Sequence, residues 1–264
     1  MCGRLNINAD PLARWLHDVL GANWDGADNA NAAPTETLAV LVRAADGNLV
    51  SRAMRWWLTP YWAKAPSTAY SMFNARSESM AKSPAFRAPF RSRRCVLPVS
   101  GYYEWSSPDG AGRMPWYIYP DVSHSDVSHS EVSHPDGSPP ARAQAAQAPG
   151  LLLAGIHDHW QSRDGALGID SFAVVTTEAH PALRALHDRQ PVMLDPARAA
   201  RWLDPDAQPD QLALELFPPA LPVPLCADPV STRVNSARYK DRQCTPPLGP
   251  AMAIAAAVSA APKE

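Results

Sequence analysis

The sequence predicts an α+β fold: a single domain built on a largely antiparallel, curled or barrel-like β-sheet with short flanking helices. Three observations predict it. Short runs rich in Val, Leu, Ile and aromatic residues recur along the chain, bounded by Gly, Pro, Asn and Asp. Segments with helical periodicity are few and scattered, so strands and helices do not alternate as in a parallel α/β sheet. The 264 residues, 46% hydrophobic and 19% charged, suit one generous domain whose core needs no disulfides.

Taken in order, Leu12, Trp15, Leu16, Val19 and Leu20 recur at helical spacing, with Asp10 expected as N-cap and Pro11 at the first helical position. TLAVLVR (37–43) and LVSRAMRW (49–56) flank AADGN, whose Asp46-Gly47 suits a hairpin turn. CVLPVSGYYEW (95–105), WYIY (116–119), LLLAGIH (151–157) and SFAVVTT (171–177) read as further strands. HPALRALH (180–187) and DPARAARWL (195–203) read as short helices, the second started by Asp195-Pro196, and QPDQLALELF (208–217) as another. Residues 121–150 repeat VSH every five residues, then dissolve into Ser, Pro, Ala and Gln. Such a composition buries too little to fold, so a low-complexity insertion into the domain (2–240) is expected. Its His124, His129 and His134 are spaced as a metal site would also allow. The Ala-rich end, 246–264, reads as a flexible tail.

These features exclude several classes. MCGRLNINAD is polar and does not read as a signal peptide, and no apolar run reaches membrane-spanning length. Cys2, Cys95, Cys226 and Cys244 form no CxxC pair, so zinc and disulfide frameworks are poorly supported and a reducing, cytoplasmic location is expected. The net charge of −2 requires any nucleic-acid surface to be a local patch. Arg76, Lys82, Arg87, Arg91, Arg93 and Arg94 supply such a patch in a stretch whose single acid is Glu78. A solvated basic face accounts for most of them equally well.

Chemistry-capable residues concentrate in five short stretches. MCGR begins with a methionine that precedes a small residue, so its removal is expected and leaves Cys2 with two nucleophiles, a thiol and a free α-amine. NAAPT carries Asn31 and Pro34, and FNARSES carries Asn74 and Arg76. In SGYYEW, Glu104 ends an apolar, aromatic strand, surroundings that raise a carboxyl pKa toward proton-shuttling range. LHDRQPVML carries His187 beside Asp188 and Arg189. Each residue alone has a bland reading: an incidental cysteine, a turn asparagine, a sheet-edge carboxylate paired to arginine, a histidine closing a helix.

Together, and in this order, the five motifs resemble the SOS-response-associated peptidase (SRAP) family, the abasic-site-processing proteins. The resemblance runs from Cys2 to PVSTRVN (229–235). It implies a SRAP-like fold and an enzyme that crosslinks itself to an abasic site in single-stranded DNA. In that chemistry Cys2 condenses through its amine with the open-chain aldehyde and closes a thiazolidine through its thiol. The resemblance assigns Asn74 to positioning, Glu104 and His187 to proton transfer, and Arg4 and Arg76 to flanking phosphates. Trp105 is expected to stack beside the lesion, while Pro34 and Asn31 line or shape the cleft. No metal or organic cofactor is implied, because the electrophile arrives on the substrate, and a monomer is expected. Trp57 departs from the family, which usually has a small residue there, and the 121–150 insertion is also atypical. Three rivals remain at this level. One is an amidohydrolase with an N-terminal cysteine, although RGPD-like and NGE-like loops are absent; another is a single-stranded-DNA-binding module without covalent chemistry; the third, which rests mainly on the family's name, is a peptidase acting on other proteins.

Overall fold

A computed structural model describes residues 2–107, 113–121, 150–241 and 246–254. Its strands are β1 (Arg4–Ile7), β2 (Asn29–Ala32), β3 (Thr37–Arg43), β4 (Leu49–Trp56), β5 (Asn74–Arg76), β6 (Arg94–Val99) and β7 (Gly101–Ser106). They continue as β8 (Met114–Pro120), β9 (Leu151–Gln161), β10 (Gly168–Glu178), β11 (Arg189–Pro191), β12 (Met193–Leu194), β13 (Leu225–Pro229) and β14 (Met252–Ile254). The α-helices are α1 (Ala9–Leu20), α2 (Ser77–Met80), α3 (Arg87–Ser92), α4 (Pro196–Leu203) and α5 (Pro209–Leu216).

Two sheets organise them. β10, β4, β3, β6 and β9 pair in that order, and β9 returns to β10, closing a five-stranded barrel. β5 and β11 add to β10, and β12 adds to β9. The second sheet is antiparallel throughout, in the order β14-β13-β8-β7-β1-β2. Among the described strands, the pairings of β10 with β4 and β5 are parallel and the others antiparallel, so the α+β, largely antiparallel barrel-like expectation holds. Every residue of β6 is buried, and Trp56 stacks on Phe172 with ring centroids 6.4 Å apart in the core.

Local signals worked where the interaction is local. The β3–β4 hairpin forms in register from Thr37↔Arg55 to Arg43↔Leu49, and Gly47 supplies the positive φ of 87° that its turn demands. Asp195 caps α4, its side chain accepting from the Arg198 N–H.

Four expectations need correction. Asp10 does not cap α1: the helix begins at Ala9, with Asn8 as N-cap. Tertiary acceptors take the first amides instead, Asp28 Oδ1 from Ala9 and Ser100 Oγ from Asn8, which leaves Asp10 to pair with Arg14 one turn on. CVLPVSGYYEW is not one strand but two. At Ser100 the chain leaves the barrel (β6) for the second sheet (β7), and Gly101 lies so close to the Ile118 carbonyl that an added Cβ would sit 2.5 Å from it. HPALRALH yields only a 3₁₀ turn, Pro181–Leu183. It is the loop of a β10–β11 hairpin whose register sets Glu178 opposite Arg189, so the chain must reverse rather than extend as a helix. The expected tail is also shorter, because β14 pairs with the open edge of β13 and buries Ile254. The remainder of that tail, 255–264, and nearly all of the expected insertion, 122–149 with its three histidines, lie outside the described residues.

Candidate functional site

β1 and β7 run antiparallel with Arg4 opposite Tyr103 and Leu5 opposite Tyr102. Continuing that register by one residue sets Gly3 opposite Glu104, which draws the start of the chain to the glutamate. Glu104 is only 2% exposed, because β7 is an inner strand between β1 and β8. Burial pushes its carboxyl up to about 7; the positive charge of the chain's amino terminus, the Trp105 N–H and Arg113 pull the other way. Cys2 is fully buried in the chain that still carries Met1, and its thiol is pushed well above the ordinary range by burial first and by the Glu104 charge second.

The barrel contributes the other half. β5 lies along β10 with Asn74 opposite Val174, and Asn74 Nδ2 donates to the Cys2 carbonyl at 2.9 Å. Asn74 Oδ1 is buried and has no hydrogen-bond partner among the described residues. One N–H of the expected donor is therefore engaged by the protein's own backbone, and Oδ1 is an unfilled acceptor.

His187 sits in the loop before β11, its Nε2 4.0 Å from Glu104 Oε2. Its Nδ1 lies 2.9 Å from the Arg189 N–H and 2.8 Å from Asp188 Oδ1. One ring nitrogen cannot accept and donate at once. The amide is fixed by the backbone whereas the Asp188 side chain is 86% exposed, so Nδ1 is the acceptor and Nε2 carries the proton toward Glu104. Burial, then the charge of the amino terminus, lowers the His187 pKa, so the ring is neutral at neutral pH.

Beside these groups opens a cavity of about 380 Å³ lined by Gly3, Arg4, Pro34, Phe73, Trp105, Arg113 and Asn235. Pro34 enters through a turn in which Thr35 holds φ at 81°, a conformation costly for a β-branched residue. A second opening, of about 540 Å³, is lined by Arg76, Glu178, Arg184, Asp188 and Arg189. Arg189 is committed there to Glu78, at 2.6 and 3.1 Å, and to the Thr176 carbonyl.

The expected site residues separate accordingly. Cys2, Asn74, Glu104 and His187 converge; Arg4, Pro34 and Trp105 line one cavity, and Arg76 lines the other. Asn31 is fully buried and donates to the carbonyls of Val234, Ser236 and Tyr239, so it holds that segment rather than facing a ligand. Within the basic stretch Arg94 is structural: it is buried and donates to the carbonyls of Trp202, Phe90, Arg91 and Asp204. Arg93 pairs with buried Asp158 at 3.2 Å, while Lys82, Arg87 and Arg91 are exposed. Trp57 packs against Phe73, ring centroids 5.4 Å apart, and so backs the first cavity without lining it. Phe73, Arg113 and Asn235 were missed as lining residues. Phe73 adjoins Asn74 and Asn235 ends PVSTRVN, positions a motif reading can flag; Arg113 carries no local signal. Among the described residues, no group of three His, Cys, Asp or Glu side chains is placed to hold a metal ion, and no helix is long and apolar enough to cross a membrane.

The family model described as SOS response associated peptidase (SRAP) matches residues 1–237. The chain belongs to the SRAP family. Among named relatives it is similar to the abasic site processing protein YoaM of Bacillus subtilis (strain 168), 27% identical over 83% of this chain and 86% of that protein. It is also similar to the abasic site processing protein HMCES of Xenopus tropicalis, 29% identical over 92% of this chain and 77% of that one. Among solved structures, a protein from Bacteroides thetaiotaomicron superposes with a TM-score of 0.71 at 20% identity, covering 92% of this chain and 98% of that chain. A second, from Bordetella bronchiseptica, gives 0.67 at 20% identity over 87% and 100%. These two structures bear on the SRAP fold alone. The SRAP match takes in all four converging residues, from both sheets, and stops short of β14.

Proposed function

We propose that this chain processes abasic sites in single-stranded DNA, as a cytoplasmic monomer that joins itself to the lesion through Cys2 once Met1 is removed. One observation carries the reading: two sheets bring a cysteine at the start of the chain, an amide, a carboxyl raised to about 7 and a neutral imidazole to one place beside an arginine- and tryptophan-lined cavity. The family membership and the names of the relatives support it.

An abasic deoxyribose equilibrates with an open-chain aldehyde. Removal of Met1 frees the Cys2 α-amine, whose ordinary pKa of about 7.7–8.0 leaves roughly a tenth to a sixth of it unprotonated at pH 7, enough to react. The amine adds to the aldehyde carbon, and the resulting carbinolamine loses water to form a protonated imine. Glu104, part protonated near neutral pH, gives the proton that the leaving hydroxyl needs. The thiol then adds to the same carbon, passing its proton to the Glu104 carboxylate while the imine nitrogen keeps its own. A saturated five-membered thiazolidine results, for a net loss of one water. Holding thiol and imine together contributes up to about 7–11 kcal/mol toward ring closure. Closure also protects the strand, because a persisting iminium acidifies the neighbouring C2′ hydrogens and invites elimination of the 3′ phosphate.

Asn74 holds Cys2 by its carbonyl, and its open Oδ1 is an acceptor for the amine or the carbinolamine hydroxyl. His187 faces Glu104 with its Nε2–H and steadies the carboxylate form of the proton carrier. Arg4 and Arg76, in separate openings, take phosphates on either side of the lesion, and Trp105 stacks on a flanking base. The test is an intact-mass measurement of the purified protein, alone and after mixing with an abasic single-stranded oligonucleotide. The expected species lacks Met1 and, after mixing, has gained the oligonucleotide less one water. A protein that keeps Met1 or gains no mass refutes the reading.

A further inference from the structure

Asn235 joins two of the groups that face the first cavity. Its Oδ1 accepts from the Trp105 indole N–H at 2.7 Å, and its backbone carbonyl accepts from Arg4 Nη2 at 3.3 Å. It lines the same cavity as both. Asn235 is itself exposed, at the end of the 3₁₀ turn Thr232–Asn235, so its own burial does not hold it in place. Its neighbours do. Asn31 Nδ2 donates to the carbonyls on either side, Val234 at 3.2 Å and Ser236 at 3.0 Å, and Lys240 Nζ reaches back to the Asn31 carbonyl at 2.7 Å. Val234 is fully buried against Tyr103 and Val230, a small cluster on which Trp105 also packs. Residues 231–240 thus form a strap tied to β2 from below and presenting one amide to the indole above.

We propose that Asn235 is a positioning residue for DNA, setting the plane of Trp105 and the direction of Arg4 from one anchored point. The inference rests on the reading that Trp105 and Arg4 meet DNA. An indole N–H only donates, so the Asn235 oxygen must face it, and the pair has a single satisfied arrangement. With the ring plane set before DNA arrives, less rotamer freedom is lost on stacking; with Arg4 tied to the same residue, the base and phosphate contacts form in one geometry.

The experiment compares the Met1-processed wild type with Asn235→Ala, Trp105→Phe and the double variant. The Trp105 indole N–H resonance, assigned by its loss in Trp105→Phe, reports the bond. The rate of adduct formation with an abasic single-stranded oligonucleotide below saturation reports its use. Asn235→Ala should move that resonance and slow capture by about three- to tenfold, the scale of one neutral hydrogen bond. In the Trp105→Phe background, which has no N–H to orient, the same change should cost less than about twofold. An unmoved resonance, an unchanged rate, or an equal loss in both backgrounds overturns the proposal. Should the wild type form no adduct, the crosslinking reading fails separately, and the same cycle is then read in equilibrium affinity for the oligonucleotide, with the same outcomes counting for and against.

Discussion

Nε2 of His187 lies 4.0 Å from Oε2 of Glu104, across the junction between the barrel and the second sheet. The two groups start with different proton affinities, and the site shifts them in opposite directions. Burial raises the carboxyl to about 7 and lowers the imidazole below its ordinary value of about 6.5. Near neutral pH the carboxyl is divided between its two forms while the ring is neutral, so Glu104 takes up or gives a proton readily with the Nε2–H of His187 facing it. That is the property required of a group that must act as an acid in one step and a base in the next.

Glu104→Gln separates the cost of this arrangement from its use. The folded-state pKa of about 7 exceeds the unfolded value of about 4.3, so the folded state binds the extra proton between them. The stabilising share is complete below about pH 4 and is lost as pH rises through about 7. Glutamine does not titrate. Relative to wild type, Glu104→Gln should therefore gain stability above pH 7, on the order of 4 kcal/mol at most, and little below pH 4. Adduct formation should fall by about 10²-fold or more, and its inflection near pH 7 should vanish. Denaturant titrations at two pH values and a pH–rate profile measure the two effects.

Cys2→Ala keeps an α-amine and removes the thiol. It should form no heat-stable adduct and should retain some strand cleavage through the unclosed imine. A denaturing gel of an abasic oligonucleotide after incubation reads both, and an adduct yield equal to wild type contradicts the assignment.

Asn74→Ala deletes the donor to the Cys2 carbonyl in a buried setting. Leaving that carbonyl without its partner should cost about 1–3 kcal/mol and loosen the start of β1. Thermal melts should show the loss, and adduct formation should slow with it.

Arg76 and Arg94 sit in one basic stretch yet should behave oppositely. Arg94→Ala removes the donors for four backbone carbonyls, two in α3, one in α4 and one at Asp204 just after it, and should lower stability by about 3 kcal/mol or more. Arg76→Ala should leave stability within about 0.5 kcal/mol and reduce the salt dependence of single-strand binding by about 0.7 in slope. Chemical denaturation and affinity at several salt concentrations distinguish them.

What was legible in the chain follows the range of the interactions. The Asp46-Gly47 hairpin and the Asp195 cap could be read because donor, acceptor and backbone geometry lie within a few residues. CVLPVSGYYEW could not be divided, since the break at Ser100 depends on which sheet each half joins. HPALRALH has helical composition, but its ends are held by β10 and β11, and closure overrides propensity.

By itself, the sequence determined the residue types of the site and the order in which they occur: Cys2, Asn74, Glu104 and His187 stand in short motifs whose chemistry is legible without coordinates. Only the tertiary structure decided which polar groups face the cavities and which are consumed inside. Asn31 and Asn235 are the same residue type, yet one is buried as a clamp on three carbonyls and the other meets an indole at the cavity rim. Arg76 and Arg94 divide in the same way. The reason is that a buried donor must find acceptors wherever the fold places them. Those acceptors are backbone carbonyls distant in sequence, and no local pattern of side chains records where they will be.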